Sequence, residues 1–337
     1  MLCVDKYASI TSLAPLSDMN LVQGWTISII AWGTYAQNER FGTHLFFVNL
    51  SSDIEEHFGI HMHRRATVPA RVNIIGEHTD YAGGLALPFA IDNHLVLDAV
   101  SRDEGYSGDT TVVNLWQAAG GWPADLKVSS RIPIGKGMSS SAALCLAVVL
   151  CARGDIEPLD ACKEAQQIEH SILKNPCGLL DQMAMMYAKE GFSTLINFSD
   201  NTVDYIAIPE DWVFKLVDSN VHRTLASTPY HKENDVRDAH VIEENNRVTN
   251  ALSASAEELG NLLNQSHCSL QKLGVSLATI DAQVESLQVT KGVLGARMMG
   301  GGFGGMILAL VNNPDILPDT PCVVSSGPAF VEEILDL

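Results

Sequence analysis

Basic side chains are scarce in this chain of 337 residues: 21 Lys and Arg stand against 40 Asp and Glu, for a formal net charge of −19. So few cations cannot neutralise an extended phosphate backbone, which excludes nucleic acid as a partner. A single nucleotide is still admissible, because backbone N–H groups, a helix N-terminus and a metal ion suffice for one phosphate tail. Long apolar runs are lacking as well. None reaches the roughly 18 residues that a membrane-spanning helix requires. The longest candidate near the start, residues 25–32, has no basic leader, since Asp5 offsets Lys6; neither a membrane span nor a secretory signal is expected. The seven cysteines are odd in number and none is spaced Cys-x-x-Cys. That argues against a disulfide framework or zinc ribbon and for a reducing, cytoplasmic setting. His57, His61 and His63 are read as surface or packing residues rather than metal ligands.

What is present is a globular composition, 46% apolar and 18% charged, long enough for two domains. Residues 1–46 carry no clear period and no motif, and read as an extension dispensable for function. From residue 67 the pattern sharpens. Residues 71–75, 85–91, 95–100 and 125–132 read as strands separated by polar turns. Residues 142–152, 158–173 and 177–187 read as helices, 192–198 and 214–218 as strands, and 239–273 as two helices. Two further strands, 293–299 and 306–311, flank a glycine run. Strands and helices mixed in this way predict an α+β protein of two layers.

The strongest chemical signal is Gly135-Lys136-Gly137-Met138-Ser139-Ser140-Ser141 followed by an almost wholly apolar helix. The glycines permit backbone conformations closed to other residues, the serines supply hydroxyls, and the helix directs free N–H groups and its positive dipole end at the loop. Together they suit a polyphosphate. Lys136 precedes the second glycine, so this is not the common Gly-x4-Gly-Lys-Ser/Thr loop. An N-capped helix behind a flexible turn would read the same way. The second cluster, Gly300 to Gly305, contains Gly-x-Gly-x-x-Gly, but a strand follows it where a dinucleotide fold needs a helix. It reads as a tight turn whose backbone approaches the phosphate loop or another strand.

Two carboxylate-bearing segments stand out. Glu77-His78-Thr79-Asp80-Tyr81 sits just after a strand and offers acceptors and donors for a ligand rich in hydroxyls, or is a solvated turn. Asp181 lies at the start of a helix, whose dipole favours the ionised form that a base requires, or simply stabilises the first turn.

Taken together, the segments resemble the galactokinase family, within the superfamily that also holds homoserine, mevalonate and phosphomevalonate kinases. The likeness runs from about residue 58 to 311 through Arg71 to Tyr81, Pro133 to Ala143, Gln166 to Gln182, Ser219 to Tyr230 and Arg297 to Gly305. It implies the two-domain GHMP kinase fold: a ribosomal S5-like sugar- and ATP-binding domain over 47–212, a ferredoxin-like domain over 213–337, and the active site between them. It implies ATP-dependent phosphorylation of galactose at C1. Asp181 would be the base and Arg71 would stabilise the transferring charge. Glu77, His78, Thr79, Asp80, Gly178 and Tyr230 would bind the sugar. Gly135, Lys136, Gly137, Met138, Ser139, Ser140 and Ser141 would cradle ATP, with Ser141 and Glu169 holding Mg²⁺. The partners would be the sugar and ATP, and the protein a monomer.

The sequence departs from the family in four places. Ala70 replaces a glycine, and 101–131 is short, so that a helix walling the adenine side is expected to be missing or reduced around Trp116. The basic cluster after Tyr230 is thinner, and residues 1–46 match nothing. The competing expectations are a related kinase for galacturonate, arabinose or an N-acetylhexosamine, and a galactose sensor without catalysis. Against the sensor stands the intact run Ser139-Ser140-Ser141-Ala142-Ala143.

Overall fold

The computed structural model describes residues 32–37, 40–45, 62–221 and 234–334. The chain divides into two units, Met1–Ile60 and His61–Leu337. In the first, β1 (Trp32–Gln37) and β2 (Arg40–Leu45) pair antiparallel.

The second unit is built on a four-stranded antiparallel sheet in the order β12-β3-β5-β6, formed by Phe330–Glu333, His63–Asn73, Pro88–Ser101 and Ala124–Ser130. The sequence suggested two strands over 85–100. Leu85–Ala86 is a separate short strand, β4, and the rest is one long strand. Asp92 and Asn93, read as a turn, form a bulge in β5: the register with β3 passes from Ala70↔Ile91 to Pro69↔His94. A bulge admits polar residues without ending the ladder.

A helix of nine residues, α1 (Thr110–Ala118), stands around Trp116, where the sequence reading expected one missing or reduced. Asp109 caps it by accepting from the N–H groups of Thr111 and Val112, and Trp116 is fully buried, its indole N–H donating to Trp122 O at 2.6 Å. Helix α2 (Ser140–Arg153) is the centre of the core. Its apolar residues circle the whole helix rather than one stripe, which is the pattern of a helix buried on every side, and residues 142, 143 and 145–151 are all buried.

The segment read as one helix over 158–173 is α3 (Pro158–Ile168) followed by a π-helical turn, Glu169–Leu173. Helix α4 (Leu180–Met186) comes next. A small sheet then forms in the order β4-β7-β8, from Phe192–Asn197 and the unforeseen Thr202–Ala207. The last part is a three-stranded sheet, β10-β11-β9, of Val293–Met298, Met306–Val311 and Val213–Asp218. It packs with α6 (Ala256–Leu273) and α7 (Ala278–Gln288), while α5 (Asn234–Ala251) packs against α6. Helix α7 had no counterpart in the sequence reading. Helix α6 opens with a full capping box between Ser255 and Glu258.

Candidate active site

Arg71 leaves β3 where the strand is buried on both faces, and is itself 3% exposed. A guanidinium in that setting needs anionic and carbonyl partners. Its Nε donates to Asp181 Oδ1 at 2.8 Å, its Nη2 lies 2.6 Å from the same oxygen, and its Nη1 donates to Gly137 O at 2.8 Å. One side chain therefore ties the first turn of α4 to the glycine-serine loop. Asp181 and Gly135, Gly137, Met138 and the three serines all line a single cleft of about 540 Å³.

The loop is shaped for an anion. Ser139, the residue before α2, has φ 61° and makes no side-chain cap to the helix. Its hydroxyl is buried without a hydrogen-bond partner among the described residues. An unfilled N-terminus beside an uncommitted hydroxyl suits phosphate oxygens. The glycine turn at 300–305 packs on this loop, which decides between the two readings of the sequence. Met306 N donates to Lys136 O at 2.9 Å, and a Cβ on Gly305 (φ 98°) would stand 2.6 Å from that same carbonyl. Lys136, expected in the ATP cradle, turns its side chain elsewhere. Its ammonium is bonded to Asp218 Oδ1 at 2.8 Å, pinning the loop to the end of β9 rather than lining the cleft.

The turn after β3 brings Glu77, His78 and Asp80 to the same cleft. Glu77 is 4% exposed; its Oε1 accepts from Gly300 N at 2.7 Å and lies 3.4 Å from Arg297 Nη2. Burial alone would push its pKa up, but Arg297, Arg71 and the Gly300 N–H outweigh that and hold it below the ordinary value. Asp80 behaves oppositely. Burial, and then the charge of Asp181, push it up to about 6 despite bonds from Leu180 N and Tyr81 N. His78 holds a φ of 60°, with Nδ1 3.3 Å from the Tyr81 hydroxyl. Gly178 fits because it has no side chain: a Cβ there would overlap the Asp80 carboxylate. Thr79, expected among the sugar-binding residues, is placed differently. Its hydroxyl lies 3.0 Å from Gly76 O and 2.9 Å from Leu85 O, so it braces the turn and does not line the cleft. Tyr230 lies outside the described residues.

Glu169 is 1% exposed, in the π-helical turn. Its Oε1 accepts from Ser141 Oγ at 2.7 Å and Asn175 Nδ2 at 2.6 Å, and its Oε2 from Gln182 Nε2 at 2.9 Å. Among the described residues no lysine or arginine pairs with it, and burial pushes its pKa up. A buried carboxylate with no cationic partner, bonded to a hydroxyl on the phosphate loop, is a pair of hard oxygen donors that fits Mg²⁺.

Arg297 was not foreseen as a site residue. It is fully buried in β10, donating from Nε to Ile74 O at 2.9 Å and from Nη2 to Asn73 O at 2.5 Å. The available signal was a lone cation in an otherwise apolar strand, Val293 to Met298, which calls for a buried anion.

Comparison with known proteins agrees with this geometry. The galactokinase galactose-binding signature matches residues 55–101, the GHMP kinases N terminal domain 109–189, and the GHMP kinases C terminal domain 248–317. A galactokinase of Thermotoga petrophila is 30% identical over 310 aligned positions, taking in 73% of this chain and 89% of that protein. The galactokinase of Thermotoga neapolitana is 31% identical with the same coverage. Among solved structures, Lactococcus lactis galactokinase complexed with galactose superposes with a TM-score of 0.69 at 23% identity, covering 83% of this chain and 98% of that one. Methanococcus jannaschii mevalonate kinase gives 0.57 at 18% identity, with coverages of 82% and 99%. The likeness in fold therefore extends across the length of both solved proteins.

Proposed function

Because the chain belongs to the galactokinase family, we propose that it transfers the γ-phosphoryl group of ATP to the C1 hydroxyl of galactose, giving galactose 1-phosphate and ADP. The observation that carries this reading is the single guanidinium of Arg71, bonded at once to Asp181 and to the Gly137 carbonyl of the phosphate loop. It holds Asp181 and the glycine-serine loop in one cleft, and phosphoryl transfer depends on positioning of this kind.

Both of Arg71's contacts with Asp181 fall on Oδ1, and in this reading Oδ2 takes the proton of the C1 hydroxyl. The sugar oxygen attacks the γ-phosphorus as the bond to the β-phosphate bridging oxygen breaks. Glu77, His78 and Asp80 orient the sugar's other hydroxyls, with Tyr230 expected to join them. Residues 135 and 137–141 hold the phosphates through backbone N–H groups and the serine hydroxyls. Ser141 and Glu169 would hold Mg²⁺, which supplies charge neutralisation at the β- and γ-phosphates. The carboxylates of Glu77 and Asp80 disfavour a uronic acid, whose own carboxylate they would repel. The division at 212/213 into a sugar- and ATP-binding domain and a C-terminal domain is part of this proposal. So are a monomeric state and a cytoplasmic location; the six described cysteines are free thiols, three of them buried.

The direct test is ADP release with a panel of sugars at fixed ATP. Galactose is expected to give the highest kcat/KM, and an equal or greater value for galacturonate, arabinose or N-acetylgalactosamine would reject the assignment. The pKa of Asp80 adds a pH signature. An accepting carboxylate must be ionised, so galactose KM is expected to be flat above pH 6.5 and to rise about tenfold one unit below the Asp80 value of about 6. The sign follows from a raised carboxyl pKa: the neutral form is favoured as pH falls through 6, and the competent fraction shrinks. A KM that improves in acid would mean that Asp80 binds as a donor.

A further inference from the structure

The turn spanning residues 76–85 is held from behind by one helix. Resting on the reading of this turn as the sugar's recognition element, we infer that α5 is its positioning element, acting through His240, Glu244 and Asn245. These residues stand at i, i+4 and i+5, within an arc of about 140° around α5.

Glu244 is fully buried, and its Oε1 accepts from Gly76 N at 3.0 Å and from Ser266 Oγ at 2.7 Å. Its Oε2 accepts from Arg247 Nε at 2.7 Å, which balances the charge. Asn245 Oδ1 accepts from Leu85 N at 2.8 Å. His240 Nε2 donates to Glu77 O at 2.9 Å, and its Nδ1 accepts from Ser269 Oγ at 2.8 Å.

The turn's own backbone bonds leave these groups over. Ile74 and Leu87 close its base, and Thr79 O takes the N–H groups of Ala82 and Gly84. The N–H of Gly76, the carbonyl of Glu77 and the N–H of Leu85 all go to α5. None of the three side chains lines the cleft. Their bonds fix the backbone on either side of Glu77, His78 and Asp80, whose side chains do line it. The clearance is small. A Cβ on Gly84 would stand 2.8 Å from Asn245 Oδ1 and 2.7 Å from Thr79 Cβ, so no side chain fits there without displacing Asn245. Hydroxyl recognition depends on acceptors held to a few tenths of an ångström. Loosening the turn should therefore raise sugar KM and leave the phosphate loop unaffected.

The test combines steady-state kinetics on the full chain with hydrogen exchange of the peptide 74–87. Asn245 is half-buried, so Asn245→Ala removes the acceptor with little loss of packing. It is expected to raise galactose KM about 3- to 10-fold, the worth of one hydrogen bond, with ATP KM and kcat within about twofold and faster exchange confined to the turn. Asn245→Asp keeps an oxygen acceptor and is expected to restore galactose KM to within about threefold of the parent. Glu244→Gln keeps the acceptor for Gly76 N and should likewise spare galactose KM relative to Glu244→Leu. An unmoved galactose KM in Asn245→Ala, or equal rises in both KM values with exchange increased throughout, overturns the role of α5. A parent chain that releases no ADP with galactose overturns the sugar-turn reading itself, and the inference with it.

Discussion

Asp181→Asn is expected to lower kcat by about 10³-fold or more while galactose still binds, the loss typical when a positioned general base is removed. The substitution keeps an oxygen at Oδ1, so Arg71 retains an acceptor and its bond to Gly137 O, and the cleft keeps its shape. What goes is the group that can take a proton. Turnover by coupled ADP assay and galactose affinity by calorimetry check the two halves separately. A kcat within about tenfold of the parent would remove Asp181 from the base role. The variant carries a second signature. The charge of Asp181 is, after burial, the next cause raising Asp80 to about 6. With that charge gone, the acid limb of galactose binding should move to lower pH. A limb that stays in place would mean that the two carboxylates are not coupled as the geometry has them.

Arg297→Leu is expected to destabilise the protein by about 3–5 kcal/mol, the usual cost of leaving one member of a buried ion pair without its partner. The leucine approximates the lost volume, so the effect reads charge and hydrogen bonding. Glu77 would keep its burial and lose its main cationic neighbour, and the carbonyls of Asn73 and Ile74 would lose their donors. A drop in Tm on the order of 10 °C follows for a domain of this size. The sign with pH is determined. Because Glu77 is held below the ordinary glutamate value of 4.5, its pairing stabilises the parent above that value, and the benefit is lost as pH falls through the folded-state pKa. Parent and variant should therefore converge in acid. A Tm within about 2 °C of the parent at neutral pH would show that the pair contributes nothing net.

The chemistry-bearing segments were legible because each is local. The glycine-serine loop and its apolar helix, the carboxylate turn after β3 and the acidic start of α4 each announce themselves within a dozen residues. What joins them was legible only in part. The glycine run at 300–305 reads as a tight turn, but its contact with Lys136 is a long-range fact. The resemblance puts Lys136 in the ATP cradle, and nothing nearby in the chain points to Asp218, which its ammonium meets. The resemblance puts Thr79 among the sugar-binding residues, and the two carbonyls within 3.0 Å of its hydroxyl are not readable from the sequence. The partners supplied by α5 and β10 lie 160 or more residues from the groups they hold. Spacing along α5 indicates a helix and says nothing of what its polar face meets. The π-helical turn at Glu169 escaped notice because continued helical composition gives no sign of one extra residue per turn.

The pairing of β12 with β3, from Phe330↔Thr67 to Glu333↔Arg64, binds the two ends of the second unit into one sheet. These last four paired residues act as a shield: they cap a row of amide and carbonyl groups that would otherwise stand open along β3. Removing them would leave an adhesive border on the central sheet, and the first molecule able to cover it would be another copy doing the same. With residues 330–333 in place the outer edge of the sheet is β12 itself, only four residues long and ending in Glu332 and Glu333, a short acidic edge that invites far less pairing.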